Sequence, residues 1–135
     1  MSRKSDIWRP AFHFSAKKGW INDPNGLVHF RGMYHLFYQH FPHKPEWGPM
    51  HWGHAVSHDL FSWKELKPAL QPDKAYEPLG CWSGSAWEDQ GQLRLLYTSA
   101  RKDPKPLQQV CLVESPDGKI FKKHPKNPVI PGPPP

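Results

Sequence analysis

The densest run of residues able to do chemistry is Trp20-Ile21-Asn22-Asp23-Pro24-Asn25-Gly26. A carboxylate at Asp23 flanked by the indole of Trp20 and the amides of Asn22 and Asn25 suits a sugar. The indole offers a flat face to the C–H surface of the ring, the amides donate to hydroxyls, and Pro24 stiffens the backbone that carries the carboxylate. The same run also reads as a turn, because Asp-Pro and Asn-Gly both favour turn conformations, and the two readings are compatible. A second candidate is the set His51, His54 and His58, which would share one face of a helix, with His40 and His43 nearby. Pro49, Gly53, Trp52, Val56 and Phe61 favour a strand there instead. In a strand His51 and His54 point to opposite faces, so no metal site is assigned. Neither a glycine-rich phosphate loop nor a nucleophile elbow occurs, and Ser83-Gly84-Ser85 lacks the surroundings of an acyl-transfer serine. No cofactor is implied.

The elements that must position Asp23 are short. Pro 17 and Gly 10 in 135 residues interrupt regular structure and oppose long helices, while Trp 7, Phe 7 and Tyr 4 supply enough apolar surface for a core. Leu27 to Phe30 and Met33 to Gln39 read as a hairpin turning at Arg31-Gly32. His51 to Ser57 reads as a third strand and Phe61 to Leu66 as a fourth, after a turn at His58-Asp59. Gly32, Tyr38 and Asp59 then find counterparts at Gly91, Tyr97 and Asp117, offsets of about 58 to 59 residues, close to propeller-blade repeats. The second unit comprises Cys81 to Trp87, Leu93 to Ser99, Gln109 to Glu114 and Lys119 to Lys122. The chain is therefore expected to be all-β, with two four-stranded blades of a β-propeller; a β-sandwich is the alternative. Blade one spans about 20–66, blade two about 80–123, and the proline-rich 124–135 reads as a linker.

Lys+Arg 18 against Asp+Glu 12 gives a net charge of +6. These charges are scattered, so a solvated surface is expected rather than a nucleic-acid partner. Two cysteines, Cys81 and Cys111, cannot build the disulfide framework of a small secreted domain. The segment Met1 to Pro10 has no apolar core and no run approaches membrane-spanning length, so a soluble, cytoplasmic protein without membrane contact is expected. Oligomeric state is left open.

Four motifs, in order, resemble the N-terminal part of glycoside hydrolase family 32, which holds the invertases, β-fructofuranosidases and sucrose-6-phosphate hydrolases. They are Arg9-Pro10-Ala11-Phe12-His13-Phe14 with Gly19-Trp20-Ile21-Asn22-Asp23-Pro24-Asn25-Gly26-Leu27, then Phe37-Tyr38-Gln39, then Glu46-Trp47-Gly48-Pro49-Met50-His51-Trp52-Gly53-His54-Ala55, then Gly80-Cys81-Trp82-Ser83-Gly84-Ser85-Ala86. The resemblance implies a five-bladed β-propeller of which this chain is the first two blades. It implies that Asp23 is the nucleophile, attacking the anomeric C2 of a terminal β-fructofuranosyl unit. It further implies that Asn22, Gln39, Trp47 and Ser83 line the sugar pocket with Trp82, which stands where the family has phenylalanine, beside the Trp20 face read above.

A retaining glycosidase needs a second carboxyl group as acid/base, about 5 to 5.5 Å from the nucleophile. The family carries it in a Glu-Cys motif and carries a further sugar-binding aspartate in Arg-Asp-Pro. Arg101-Lys102-Asp103-Pro104 is one residue too long for the latter, and Cys111 follows Val110 rather than a glutamate. The expectation is thus a fructoside-cleaving enzyme represented by a portion that ends before its acid/base and is inactive alone, with a small sugar as its partner. The alternative is a non-catalytic fructoside-binding module. A two-blade piece is further expected to leave Leu95, Val110 and Leu112 partly exposed.

Overall fold

The computed structural model describes residues 8–10 and 12–133; Arg3, Lys4 and the N-terminal segment through residue 7, Ala11 of the opening motif, Pro134 and Pro135 lie outside the described residues. The chain runs through β1 (Trp20–Phe30), β2 (Met33–Phe41), β3 (His51–Ser57), β4 (Lys64–Glu65), β5 (Cys81–Asp89), β6 (Gln92–Arg101), β7 (Leu107–Ser115) and β8 (Lys122–Lys123). These form two antiparallel meanders, ordered β1-β2-β3-β4 and β5-β6-β7-β8, which are two four-stranded propeller blades. Among the described residues no helix is long and apolar enough to cross a membrane.

The repeat seen in the sequence is a repeat of turns. Arg31-Gly32 and Gln90-Gly91 each place two successive residues at positive φ, 51° and 77° in one blade and 51° and 78° in the other. That pairing matches the right-handed twist of the flanking strands, and glycine at the second position adopts it without strain. After the third strand of each blade, a Ser-x-Asp segment closes the next corner. The Ser57 hydroxyl accepts from the Leu60 N–H at 2.8 Å, and Asp59 Oδ1 accepts from Phe61 and Ser62 at 2.8 and 2.7 Å. In the second blade Ser115 accepts from Gly118 at 2.9 Å, and Asp117 accepts from Lys119 and Ile120 at 2.8 and 2.9 Å. These bonds shorten the expected fourth strands. Phe61 to Ser62 and Lys119 to Ile120 spend their N–H groups on a carboxylate, so pairing begins only at Lys64 and Lys122. The N–H groups of Ser62 and Phe61, with the Ser57 hydroxyl, hold the Asp59 carboxyl down at about 2.

The core lies between the blades. Phe30, Phe37, Trp52 and Leu70 from the first meet Cys81, Leu93, Leu95, Tyr97, Cys111 and Val113 from the second. Leu95 is fully buried here, correcting the expectation that it lies on the open flank. Strand alternation explains the difference: Leu93, Leu95 and Tyr97 share the face turned to blade one, and Leu96 shares the other with half-buried Leu112 and Val110 opposite it and Thr98. The opposite face of blade one packs Tyr38, Ala55 and Ala16 with Phe14, Ile21, Leu36 and Trp63.

The buried carboxylate at the seam is paired, as burial requires. Glu77, with no exposed surface, accepts from the Tyr97 hydroxyl at 2.7 Å, the Cys81 thiol at 3.4 Å, and the backbone N–H groups of Asp73 and Lys74 at 3.1 and 3.0 Å. It is also ion-paired with Lys123, whose ammonium reaches Asp73 at 2.6 Å. Burial, reinforced by the Glu77 charge, pushes the Cys81 thiol well above its ordinary range. Both cysteines are buried and unbridged. His54, stacked on Phe37 and meeting His35 at 3.0 Å, is driven down to about 3, first by burial and then by His35. His51 projects from the other face of β3 and stacks edge-on with His43.

Beyond β8 the chain returns along β7. The Asn127 side chain exchanges two hydrogen bonds of 2.8 Å with the Leu112 backbone, and Ile130 bridges to Val110.

Candidate functional site

Asp-Pro-Asn-Gly does not turn the chain; it lies inside β1, against the expectation of a turn. The physical reason is a pair of β-bulges. Ile21 pairs with His40 and Pro24 with Tyr38, so Asn22 and Asp23 together face the single residue Gln39. A second shift between Asn25 and Val28 sets Gly26 and Leu27 against Leu36. Bulges supply the irregular backbone that Asp, Pro, Asn and Gly favour, while the strand continues on either side. They also bend the strand and re-aim its side chains, which brings Asn22, Asp23 and Gln39 to one end of the sheet.

Blade two presents a third bulge. Trp82 pairs with Thr98 and Gly84 with Tyr97, leaving Ser83 as the extra residue. The two bulged strands meet: the Ser83 hydroxyl donates to Asp23 Oδ2 at 2.8 Å. Close approach of β1 and β5 depends on Gly26, where an added Cβ would lie 2.8 Å from the Ala86 methyl. On the other carboxylate oxygen, Asn22 donates to Asp23 Oδ1 at 3.3 Å, and the Trp20 indole N–H donates to Asn22 Oδ1 at 3.0 Å. Asp23 is exposed, with both oxygens oriented by donors.

The surrounding residues are fixed from behind. Gln39, 2% exposed, donates its amide to the Cys81 carbonyl at 3.1 Å across the blade seam. The Trp82 indole donates to the Leu79 carbonyl at 3.1 Å, while its own carbonyl accepts the Trp52 indole at 2.9 Å. Trp47 stands apart on the loop between β2 and β3, 55% exposed, and among the described residues no hydrogen bond ties it to the others. Trp52 and Glu77 are supporting residues whose buried structural roles the sequence does not mark. Trp52 sits in the His-Trp-Gly-His stretch already noted, but an isolated buried glutamate carries no local signal. Among the described residues no group of three His, Cys, Asp or Glu side chains gathers as metal ligands would.

An exposed carboxylate steered by a serine and an asparagine, where two four-stranded blades meet, puts the chain in the class of β-propeller proteins with a carboxylate at the blade seam. Comparison with known proteins agrees with that class. Residues 13–135 match the glycosyl hydrolases family 32 N-terminal domain, and the chain belongs to that family. It is 47% identical over 124 residues to the sucrose-6-phosphate hydrolase of Zymomonas mobilis, covering 88% of this chain and 24% of that protein. It is 43% identical over 135 residues to the levanase of Bacillus subtilis, covering 93% of this chain and 20% of that protein. Its backbone superposes on the family 32 β-fructofuranosidase of Bombyx mori, solved also as a mutant in complex with sucrose, with TM-score 0.85 and 42% identity. That match covers 94% of this chain and 27% of that one. The chain thus spans about a fifth to a quarter of the length of the sucrose-6-phosphate hydrolase and levanase and 27% of the Bombyx mori enzyme.

Proposed function

We propose that these two blades carry the nucleophile half of a retaining β-fructofuranosidase. Asp23 attacks the anomeric C2 of a terminal fructosyl unit, the C2–O bond to the leaving sugar breaks, and a fructosyl ester forms on the carboxylate. Water then hydrolyses the ester, so two inversions give net retention. The Asp23–Ser83 contact at 2.8 Å between two bulged strands carries this reading, because it holds one oxygen of an exposed carboxylate in a fixed orientation. Asn22 and Gln39 supply donors for fructose hydroxyls, Trp20 and Trp82 its apolar walls, and Trp47 an outer wall.

The acid/base carboxyl lies outside these two blades, as does the rest of the ring; blade one spans about 20–66, blade two about 80–123, and 124–135 is a linker. The substrate class is a small β-fructoside such as sucrose, its 6-phosphate or a fructan end, with neither nucleic acid nor membrane as partner. Two buried, unbridged cysteines fit a reducing cytoplasm.

The test is Asp23→Asn in the full-length protein. Turnover of sucrose should fall by about 10⁴ or more while calorimetric affinity changes only a few-fold, because the amide keeps the carboxylate's shape and loses its nucleophilicity. Wild-type turnover in the variant would leave Asp23 as a strand residue only, and fructoside binding without turnover in the wild type would establish a binding module.

A further inference from the structure

We infer that the loop joining β6 to β7 is an anion-binding rim that selects fructosides whose leaving sugar carries a phosphate. This rests on the enzymatic reading above and asks which member of that substrate class the site takes.

Position comes first. Arg101 ends β6 and pairs with Leu107 at the start of β7, so residues 102–106 form the hairpin loop at that end of blade two. Cys81 pairs with Ser99 just below, and Trp82 and Ser83 follow it, so the loop lies at the same end of the sheet as Asp23. The link is short. The Leu79 N–H donates to the Ala100 carbonyl at 3.1 Å, and the Leu79 carbonyl accepts the Trp82 indole at 3.1 Å.

Charge comes second. The loop places Arg101, Lys102 and Lys105 against the single carboxylate Asp103. Among the described residues none of the three cations is paired with a carboxylate. Lys102 and Lys105 are exposed, and Arg101 donates to the Asp103 carbonyl at 3.2 Å, which folds the guanidinium back over the loop. The corresponding loop of blade one is different, since Lys44 there is paired with Glu46 at 3.3 Å. Pro104 and Pro106 limit the conformations of the cationic loop, reducing the ordering cost of gripping an anion.

Direction comes third. A fructosyl unit whose C2 meets Asp23 lies against Asn22 and the buried Gln39, so the group across the scissile bond extends outward to the rim. A phosphate dianion on that group meets two or three unpaired cations, whereas a neutral sugar gains nothing from them.

The experiment compares kcat/KM for sucrose and sucrose 6-phosphate in the full-length protein, its Lys102→Ala/Lys105→Ala variant and the charge reversal Lys102→Glu/Lys105→Glu. The wild type should favour the phosphorylated substrate. The alanine pair should lower that preference by about tenfold or more while leaving sucrose within about twofold, and the reversal should lower it further. Added salt should erode the wild-type preference in the same direction. An unchanged ratio in both variants, or no preference in the wild type, overturns the inference. Hydrolysis of neither substrate by the wild type is a failure of the enzymatic reading itself, and sucrose turnover reports folding of each variant.

Discussion

Asp23 is oriented by two donors of unequal reach. Ser83 approaches to 2.8 Å from the neighbouring blade and Asn22 to 3.3 Å from the adjacent residue, so Ser83 carries the stronger of the two bonds. Removing it frees one carboxylate oxygen to rotate out of line with C2 and leaves fructose contacts by other residues in place. Ser83→Ala should lower kcat by about tenfold to a hundredfold with a smaller change in KM, the pattern of a charge-assisted hydrogen bond used in positioning. Steady-state kinetics on sucrose checks it, and an equal rise in KM with unchanged kcat would assign Ser83 to binding instead. The candidate residues were legible in the sequence because their types are chemically restrictive. Their grouping was less so: nothing local in Ser83-Gly84-Ser85 says that Ser83 is the unpaired residue of a bulge or that it faces Asp23 across 60 positions of chain.

At the scale of elements, alternating apolar residues and the repeated turn signals revealed both meanders, since hairpin turns and two-residue periodicity are local properties. Two features were hidden. Bulges let Asp-Pro-Asn-Gly remain inside β1, because an irregular backbone within a strand uses the same residues as a turn. Side-chain capping by Asp59 and Asp117 cut the fourth strands to two residues each. The face assignment of β6 was a matter of parity, which one residue of register reverses, and it placed Leu95 wrongly. The element seam also sets a pH dependence. His54 titrates near its ordinary 6.5 when unfolded and about 3 when buried against Phe37, Phe121 and His35. Between those values the unfolded chain binds a proton that the folded chain refuses, so stability falls as pH falls, by up to about 1.4 kcal/mol per pH unit for this group. His35, also lowered by burial, adds in the same direction. His54→Phe should flatten the slope of thermal midpoint against pH below 6.5 by the share of one proton, measured by calorimetry of the full-length protein. An unaltered slope would remove His54 from the account.

At the scale of the molecule, blade two has one face in the inter-blade core and one without a blade against it. Leu96, Val110 and Leu112 lie half-buried on that second face, with the returning segment around Ile130 covering part of it. A blade buries both faces in a closed ring, so this flank is suited to a third blade. Residues 1 to 135 expressed alone should therefore associate as concentration rises, and Leu112→Glu should shift the population toward monomer on size-exclusion chromatography. A monodisperse wild-type monomer at high concentration would mean that the returning segment covers the flank sufficiently. On the proposal that the acid/base lies outside these blades, the same piece alone should not hydrolyse sucrose, because loss of general acid assistance to the leaving oxygen costs about 10² to 10⁴ in rate.

In the proposed reaction Asp23 forms the bond to fructose. Acid quenching of the full-length protein during turnover of sucrose, followed by proteolysis and mass spectrometry, tests it directly, since an ester formed on the nucleophile survives at low pH long enough to be located. One added fructosyl unit is expected on the peptide carrying Asn22-Asp23-Pro24, fragmenting to Asp23 and absent from Asp23→Asn. A fructosyl ester on any other carboxylate, with Asp23 unmodified, would contradict the proposed reaction.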